Sequence, residues 1–357
     1  MKDLRTKIAT LRLIRTASHI SPSSSLNTMT NAMPESPNNY SDPATLRSLR
    51  AEFAKTIKDY ASDPSETFRV VHTCTSTNSP PSAPNSKTLY VLDSSFNPPT
   101  RAHFTLAQST VLRDTDRKPG PVRLMLLLAT QNADKRAKPA QFEDRLVMMS
   151  IMADNLRRSL LSHADEHGTG SGGGDATSGN ANEIAVDVAI TKKPFYMDKA
   201  MSIDESGIYP EDMQQVHVTG YDTIIRIFDA KYYPKDQGLR VLEPFLSKHR
   251  LRVCYRVGIA EKEKVKGGDD RREQEKYVEA IGDGSRESEG MKKEWRKMIE
   301  LVDDAKDVQG VSSTDARRCA SQGKRTELAE TVGETMAEYI LSEKLYEDPD
   351  SIKKGYS

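Results

Sequence analysis

The stretch LYVLDSSFNPPTRAHFTLAQS, residues 89–109, changes character twice within a short span. Leu89, Tyr90, Val91 and Leu92 form the brief, bounded apolar run of a buried strand, and the run stops at Asp93. Phe104, Leu106, Ala107 and Val111 recur instead with helical spacing. Between the two patterns lie Ser94, Ser95, Asn97, Pro98, Pro99 and Thr100, which are turn formers and helix starters. The reading is a strand joined by a tight turn to a helix N-terminus. Such a junction aims unpaired backbone N–H groups and the positive helix end at one point, and so suits an anion, above all a phosphate. His103 falls one turn inside that helix.

Upstream, Leu46, Leu49, Phe53 and Ile57 mark an amphipathic helix over residues 42–62, capped by Ser41 or Asp42 with Pro43 in its first turn. TSTNSPPSAPNSK then reads as a linker. Downstream, PVRLMLLLAT reads as a second buried strand and FEDRLVMMSIMADNLRRSLL as a helix. EIAVDVAIT, QVHVTG leading into YDTIIRIFDAKYY, and LRVCYRVG continue the alternation. A short strand through Met298, Ile299, Leu301 and Val302 follows, and one final helix holds Leu328, Val332, Met336, Tyr339, Ile340 and Leu345. Strands alternating with helices predict an α/β fold, a Rossmann-like doubly wound open parallel sheet with ligands at the carboxyl ends of its strands. The expected organisation is a disordered or targeting extension over 1–40, an N-terminal helix and linker over 41–86, the main domain over 87–347 and a tail over 348–357. Within the main domain, 165–182 reads as a flexible Gly/Ser-rich loop. Residues 260–290 read as a charged insertion without steady period, with Trp295, the only tryptophan, at its edge.

The 357 residues are 36% hydrophobic and 29% charged, ordinary for a chain that buries a full core. Fifty-two basic residues balance fifty-two acidic ones, so no global field draws in nucleic acid or an anionic membrane, and neither is expected as a partner. The longest apolar run, 124–129, is too short to span a bilayer. Cys74, Cys254 and Cys319 are odd in number and widely spaced, which fits a reducing compartment, cytoplasmic or nuclear. Lys2, Arg5, Lys7, Arg12 and Arg15 against Asp3 give a mitochondrial presequence as the alternative, and a non-native extension has the same look. His163 and His167 have chelating spacing but no further ligands nearby, so no protein metal site is expected. Homo-oligomerisation is left open.

Four segments, NPPTRAH, TGYDT, YRVG and SSTDAR, fall at the carboxyl ends of the expected strands and therefore share one crevice. Hydroxyls at a helix start, free amides, one histidine and one arginine are what a polyphosphate needs. SFNPPTRAH resembles the SFNPxTxxH signature of nucleotidylyltransferases, and VSSTDAR resembles their ISSTxxR signature. NADKRAKPAQFEDRLVMM is similar to the Lys-bearing loop and Arg-x-x-Met helix of the nicotinamide-nucleotide adenylyltransferase family in particular. TGYDT is similar to its Gly-x-Asp turn, CYRVG to its Arg-x-Gly strand end and YILSEKLYE to its closing helix. The resemblance spans residues 87–347.

It implies transfer of AMP from ATP to nicotinamide mononucleotide or nicotinic acid mononucleotide, with Mg²⁺ riding on the ATP phosphates. By position, Ser94, Ser95, Phe96 and Thr100 would lie against the nucleotides, and His103 and Lys135 would meet ATP phosphate. Gly220 and Asp222 would hold the adenylyl nucleoside with Arg256 at its rim, and Ser313, Thr314 and Arg317 would bind the departing phosphates. Two departures stand out: Ser94 replaces the family's glycine, and TKKPFYMDKA replaces its tryptophan-bearing segment, so that Phe195 or Tyr196 would stack on the pyridine ring. The alternatives are another acceptor within the superfamily, or a non-catalytic ATP-binding interaction module.

Overall fold

The structure is a computed structural model that describes residues 40–75, 86–115, 121–131, 140–167, 183–255, 271–303, 308 and 310–347. Along the chain run α1 (Pro43–Ser62), β1 (Phe68–Cys74), β2 (Thr88–Asp93), α2 (Arg101–Thr115), β3 (Val122–Ala129), α3 (Phe142–His167), β4 (Ile184–Thr191) and α4 (Tyr196–Asp204). There follow β5 (Gln214–Gly220), α5 (Tyr221–Ile227), α6 (Glu243–Lys248), β6 (Arg250–Cys254), α7 (Arg271–Gly282), β7 (Ile299–Val302), α8 (Ser313–Ser321), α9 (Arg325–Val332) and α10 (Glu334–Ser342).

The strands form one sheet in the order β1-β4-β3-β2-β5-β6-β7. Every neighbouring pair is parallel except β1 with β4. The chain winds outward from β2 through β3 to β4, then resumes on the other side of β2 with β5, β6 and β7. The winding therefore reverses between β2 and β5, where an open α/β sheet binds its ligand. Side chains alternate across the sheet. Tyr90, Leu92, Leu124, Leu126 and Leu128 pack into the layer of α1, α2, α3 and α8–α10, whereas Leu89, Val91, Met125 and Leu127 face the layer containing Ile203 of α4. Burial on both faces explains why β3 and β4 read as apolar runs interrupted chiefly by Arg123 and Asp187, which pair with each other.

The expected N-terminal helix is present with its expected cap. The Asp42 carboxylate accepts from Ala44 N and Thr45 N, and Pro43 occupies the first turn. Three sequence expectations are corrected. Phe68–Cys74, read as no element, is an edge strand: it pairs on one side only and shifts register between Val70 and His72, so no clean alternation marks it. The stretch over 260–290 contains α7, whose Gln274, Val278 and Ile281 are buried, and Trp295 belongs to the same core, stacked on Phe228 at 6.1 Å. The single closing helix is two, α9 and α10, separated at Gly333, where φ is +88°.

Arg123 stands inside the apolar run of β3 at 1% exposure. Its Nε and a terminal nitrogen reach both oxygens of Asp187 on β4 at 2.6 and 2.8 Å. Asp187 also accepts from Thr73 Oγ1 and the Tyr209 hydroxyl. A buried pair is tolerated when its remaining acceptors are satisfied in this way.

Candidate active site

The turn after β2 opens with Ser94. Its N–H continues the sheet to the Leu127 carbonyl at 3.2 Å, so this amide serves β3 and not a ligand. Ser95 is exposed at the crest of the turn. Phe96 takes the left-handed conformation, φ +43°, which swings its fully buried ring into the core. The ring lies 5.3 Å from that of His103. The Phe96 ring is therefore part of the core packing behind the turn. A cis Asn97–Pro98 bond completes the turn, and α2 starts just past Thr100.

The hydrogen bonds at His103 settle its tautomer. Thr100 N–H can only donate, and it meets His103 Nδ1 at 3.1 Å, joined by the Thr100 hydroxyl at 2.9 Å. Nδ1 is thus the acceptor and the ring proton sits on Nε2, which donates to Ser94 Oγ at 2.9 Å. Burial pushes the imidazole down to about 4, so the ring is neutral at pH 7 and presents one fixed N–H donor at the strand end.

The second wall is the start of α8. Ser312 caps the helix by accepting from Asp315 N at 3.1 Å. Ser313 Oγ donates to the Pro98 carbonyl at 2.8 Å. Arg317, 5% exposed, donates to the Asn97 carbonyl at 2.7 Å and to Thr314 Oγ1 at 3.0 Å. Two segments more than two hundred residues apart in sequence are clasped together at the Asn97–Pro98 turn. The Tyr346 hydroxyl adds a bond to Asn97 Oδ1 at 2.9 Å, a contact the sequence gives no sign of.

Across the switch point, Gly220 ends β5 and precedes α5. A Cβ there would meet nothing within 4 Å and its φ is ordinary, so the fold does not require glycine and the space above it is open. Asp222 is exposed in the first turn of α5. Phe195 and Tyr196 begin α4: Phe195 is half-buried with its ring 6.3 Å from that of Tyr233, and the Tyr196 hydroxyl lies 3.4 Å from Thr219 Oγ1. Sequence reading missed the companion of these residues, Lys199, whose ammonium is buried against the Asp93 carboxylate at the end of β2. This pair ties α4 to the strand that leads into the Ser94–Thr100 turn. Lys135 and Arg256 lie outside the described residues. Among the described residues no group of three or more His, Cys, Asp or Glu is arranged to hold a metal ion, and no helix is long and apolar enough to cross a membrane.

A strand–turn–helix at the switch point of an open, mostly parallel sheet, clasped by a Ser-Ser-Thr helix start, is a Rossmann-like α/β arrangement. The chain is 31% identical over 240 residues to a Schizosaccharomyces pombe (strain 972 / ATCC 24843) protein named "Putative nicotinamide mononucleotide adenylyltransferase", the match covering 67% of this chain and 78% of that one. The chain belongs to the nicotinamide mononucleotide adenylyltransferase family. Comparison with protein-family models finds no match. Two solved structures of Plasmodium falciparum nicotinic acid mononucleotide adenylyltransferase, one complexed with APC and one with NaAD, align at a TM-score of 0.41 with 13% and 14% identity. Each alignment covers 73% of this chain and 98% of theirs.

Proposed function

We propose that this chain transfers the adenylyl group of MgATP to nicotinamide mononucleotide or nicotinic acid mononucleotide, giving the dinucleotide of NAD biosynthesis and pyrophosphate. The observation that carries the reading is the clasp: Ser313 and Arg317 hold the Pro98 and Asn97 carbonyls of the turn whose other end fixes His103. An oxygen of the mononucleotide 5′-phosphate attacks the α-phosphorus of ATP. The new P–O bond forms as the bond from the α-phosphorus to the bridging β-oxygen breaks, and the electron pair leaves with pyrophosphate. The nucleophile is already anionic, so no protein nucleophile or general base is required.

What remains for the protein is placement and charge. His103 Nε2–H, now on Ser94 Oγ, is the donor for a phosphate oxygen at the strand end. Ser313, Thr314 and Arg317 serve the leaving side, with Lys135 as a further phosphate ligand. Gly220 gives the close approach for the adenylyl nucleoside, flanked by Asp222 and Arg256, and Phe195 or Tyr196 is the stacking platform for the pyridine ring. Mg²⁺ enters as part of the substrate, coordinated by the triphosphate.

The test is an acceptor panel. Purified protein with MgATP and each mononucleotide should release pyrophosphate and form dinucleotide with a pyridine mononucleotide. Turnover only with a different phosphorylated acceptor would remove the substrate reading, and ATP binding without pyrophosphate release from any acceptor would favour a binding module.

A further inference from the structure

Two ion pairs among the described residues have both side chains almost wholly buried, and they differ in how the carboxylate is filled. Around Asp187, Arg123 reaches both oxygens, and Thr73 Oγ1 and the Tyr209 hydroxyl add one bond to each. Asp93 gives Oδ2 to the Lys199 ammonium, and among the described residues its Oδ1 accepts nothing. A nearly buried carboxylate oxygen without a donor calls for one.

The position of Asp93 says where that donor comes from. Asp93 and Thr219 follow the Leu92–Val218 pair at the carboxyl ends of β2 and β5, the strands between which the winding reverses. By alternation Asp93 shares the face of Leu89 and Val91, toward α4. Lys199 Nζ lies 5.3 Å from the centroid of the Tyr196 ring, and the Tyr196 hydroxyl is 3.4 Å from Thr219 Oγ1. A half-buried aromatic ring, a carboxylate and an ammonium thus meet at one spot of the crevice. A flat heterocycle stacked on that ring would bring its edge to the pair.

The two acceptors of the proposed reaction differ in one ring substituent, a carboxamide or a carboxylate of similar shape. The carboxamide offers an N–H to Asp93 Oδ1 and a carbonyl to Lys199, whereas the carboxylate offers no donor and sets a second negative charge beside Asp93. We propose that the Asp93–Lys199 pair reads this substituent and selects nicotinamide mononucleotide over nicotinic acid mononucleotide. The inference rests on the adenylyl-transfer reading and names its acceptor.

The experiment measures kcat/KM for both acceptors with the full chain and its D93N and K199M variants. The unmodified protein should favour nicotinamide mononucleotide by about 10-fold, the worth of one hydrogen bond to a charged group. Each substitution leaves one unit charge without its partner. At about 6 to 10 Å and an effective dielectric of about 20, that charge shifts recognition of a carboxylate by about 10- to 100-fold. D93N should move the preference toward nicotinic acid mononucleotide by that factor, and K199M should move it the other way. A pair that only braced α4 would change both acceptors alike and leave their ratio fixed. The carboxyl end of α4 is held separately: Gln215 donates to the Ala200 carbonyl and to Asp204, which also takes Lys248 and His249. Should a single variant fail to fold, D93V/K199M, which leaves no charge buried alone, replaces it, and its acceptor ratio should fall toward unity. A preference of the unmodified protein for nicotinic acid mononucleotide, or a ratio that these substitutions do not move, would overturn the inference while the adenylyl-transfer reading stands. Turnover of neither acceptor would sink both.

Discussion

Replacing Arg317 by lysine tests the clasp while keeping the charge. The arginine spans two acceptors in different directions, the Asn97 carbonyl at 2.7 Å and Thr314 Oγ1 at 3.0 Å, and it does so at 5% exposure. An ammonium is a point donor on a flexible stem and cannot hold both while filling the same planar space. Losing one buried hydrogen bond to a charged group costs about 1.5 to 3 kcal/mol. At roughly 2 to 4 °C per kcal/mol, Arg317→Lys should lower the melting temperature by roughly 3 to 12 °C. Because the displaced carbonyl belongs to the turn that seats His103, kcat should fall as well, by less than the ~10²- to 10³-fold loss expected for Arg317→Ala. Arg318 is the control. Its side chain is 53% exposed and pairs only with Asp315 among the partners seen on its own helix, so Arg318→Ala should be near neutral. Thermal unfolding and steady-state pyrophosphate release read both effects. An Arg317→Lys protein with unchanged melting temperature and kcat, or an Arg318→Ala protein as damaged as it, would refute the clasp.

Three further outcomes follow from the site. His103→Ala should lower kcat about 10²- to 10³-fold with little change in ATP affinity, since its donor meets charge that develops during attack; an equal loss in binding and in kcat would remove it from the transition state. Stability should fall with acidity below pH 6.5: burial holds His103 near 4 and His217 near 3 and also lowers His72, so the folded protein keeps these rings neutral while the unfolded chain takes up protons. His103 alone should cost roughly 3 kcal/mol by pH 4, with its contribution flat above pH 6.5, and urea unfolding that shows no loss between pH 7 and pH 5 would contradict this. Phe195→Ala should raise the KM for the mononucleotide while leaving that for ATP near its original value; an unaltered mononucleotide KM would exclude it as the platform.

How far the sequence alone reached follows from the range of the interactions involved. Asp42 and Pro43 mark the start of α1 because a cap is a local event, and the apolar runs of β2, β3 and β4 are legible because both faces of those strands are covered. The strand-turn-helix at Ser94 to His103 is local too, although its details are not: the ring of Phe96 turns inward to the core, and the amide of Ser94 belongs to the sheet. The hidden parts depend on distant partners. Lys199 reads as a surface lysine until the end of β2 brings Asp93 to it, and Tyr346 gains its meaning only from Asn97. β1 escaped notice because an edge strand with a register shift satisfies only half of the alternation that reveals strands.

The central claim is that the α-phosphate of ATP is transferred to the mononucleotide while the β- and γ-phosphates depart together. Parallel incubations of the protein and nicotinamide mononucleotide with ATP labelled at the α- or the γ-phosphate follow those atoms directly. The account predicts α-label in the dinucleotide and γ-label only in pyrophosphate. Release of γ-label as orthophosphate, with the α-label remaining in ADP and no labelled dinucleotide formed, would contradict it.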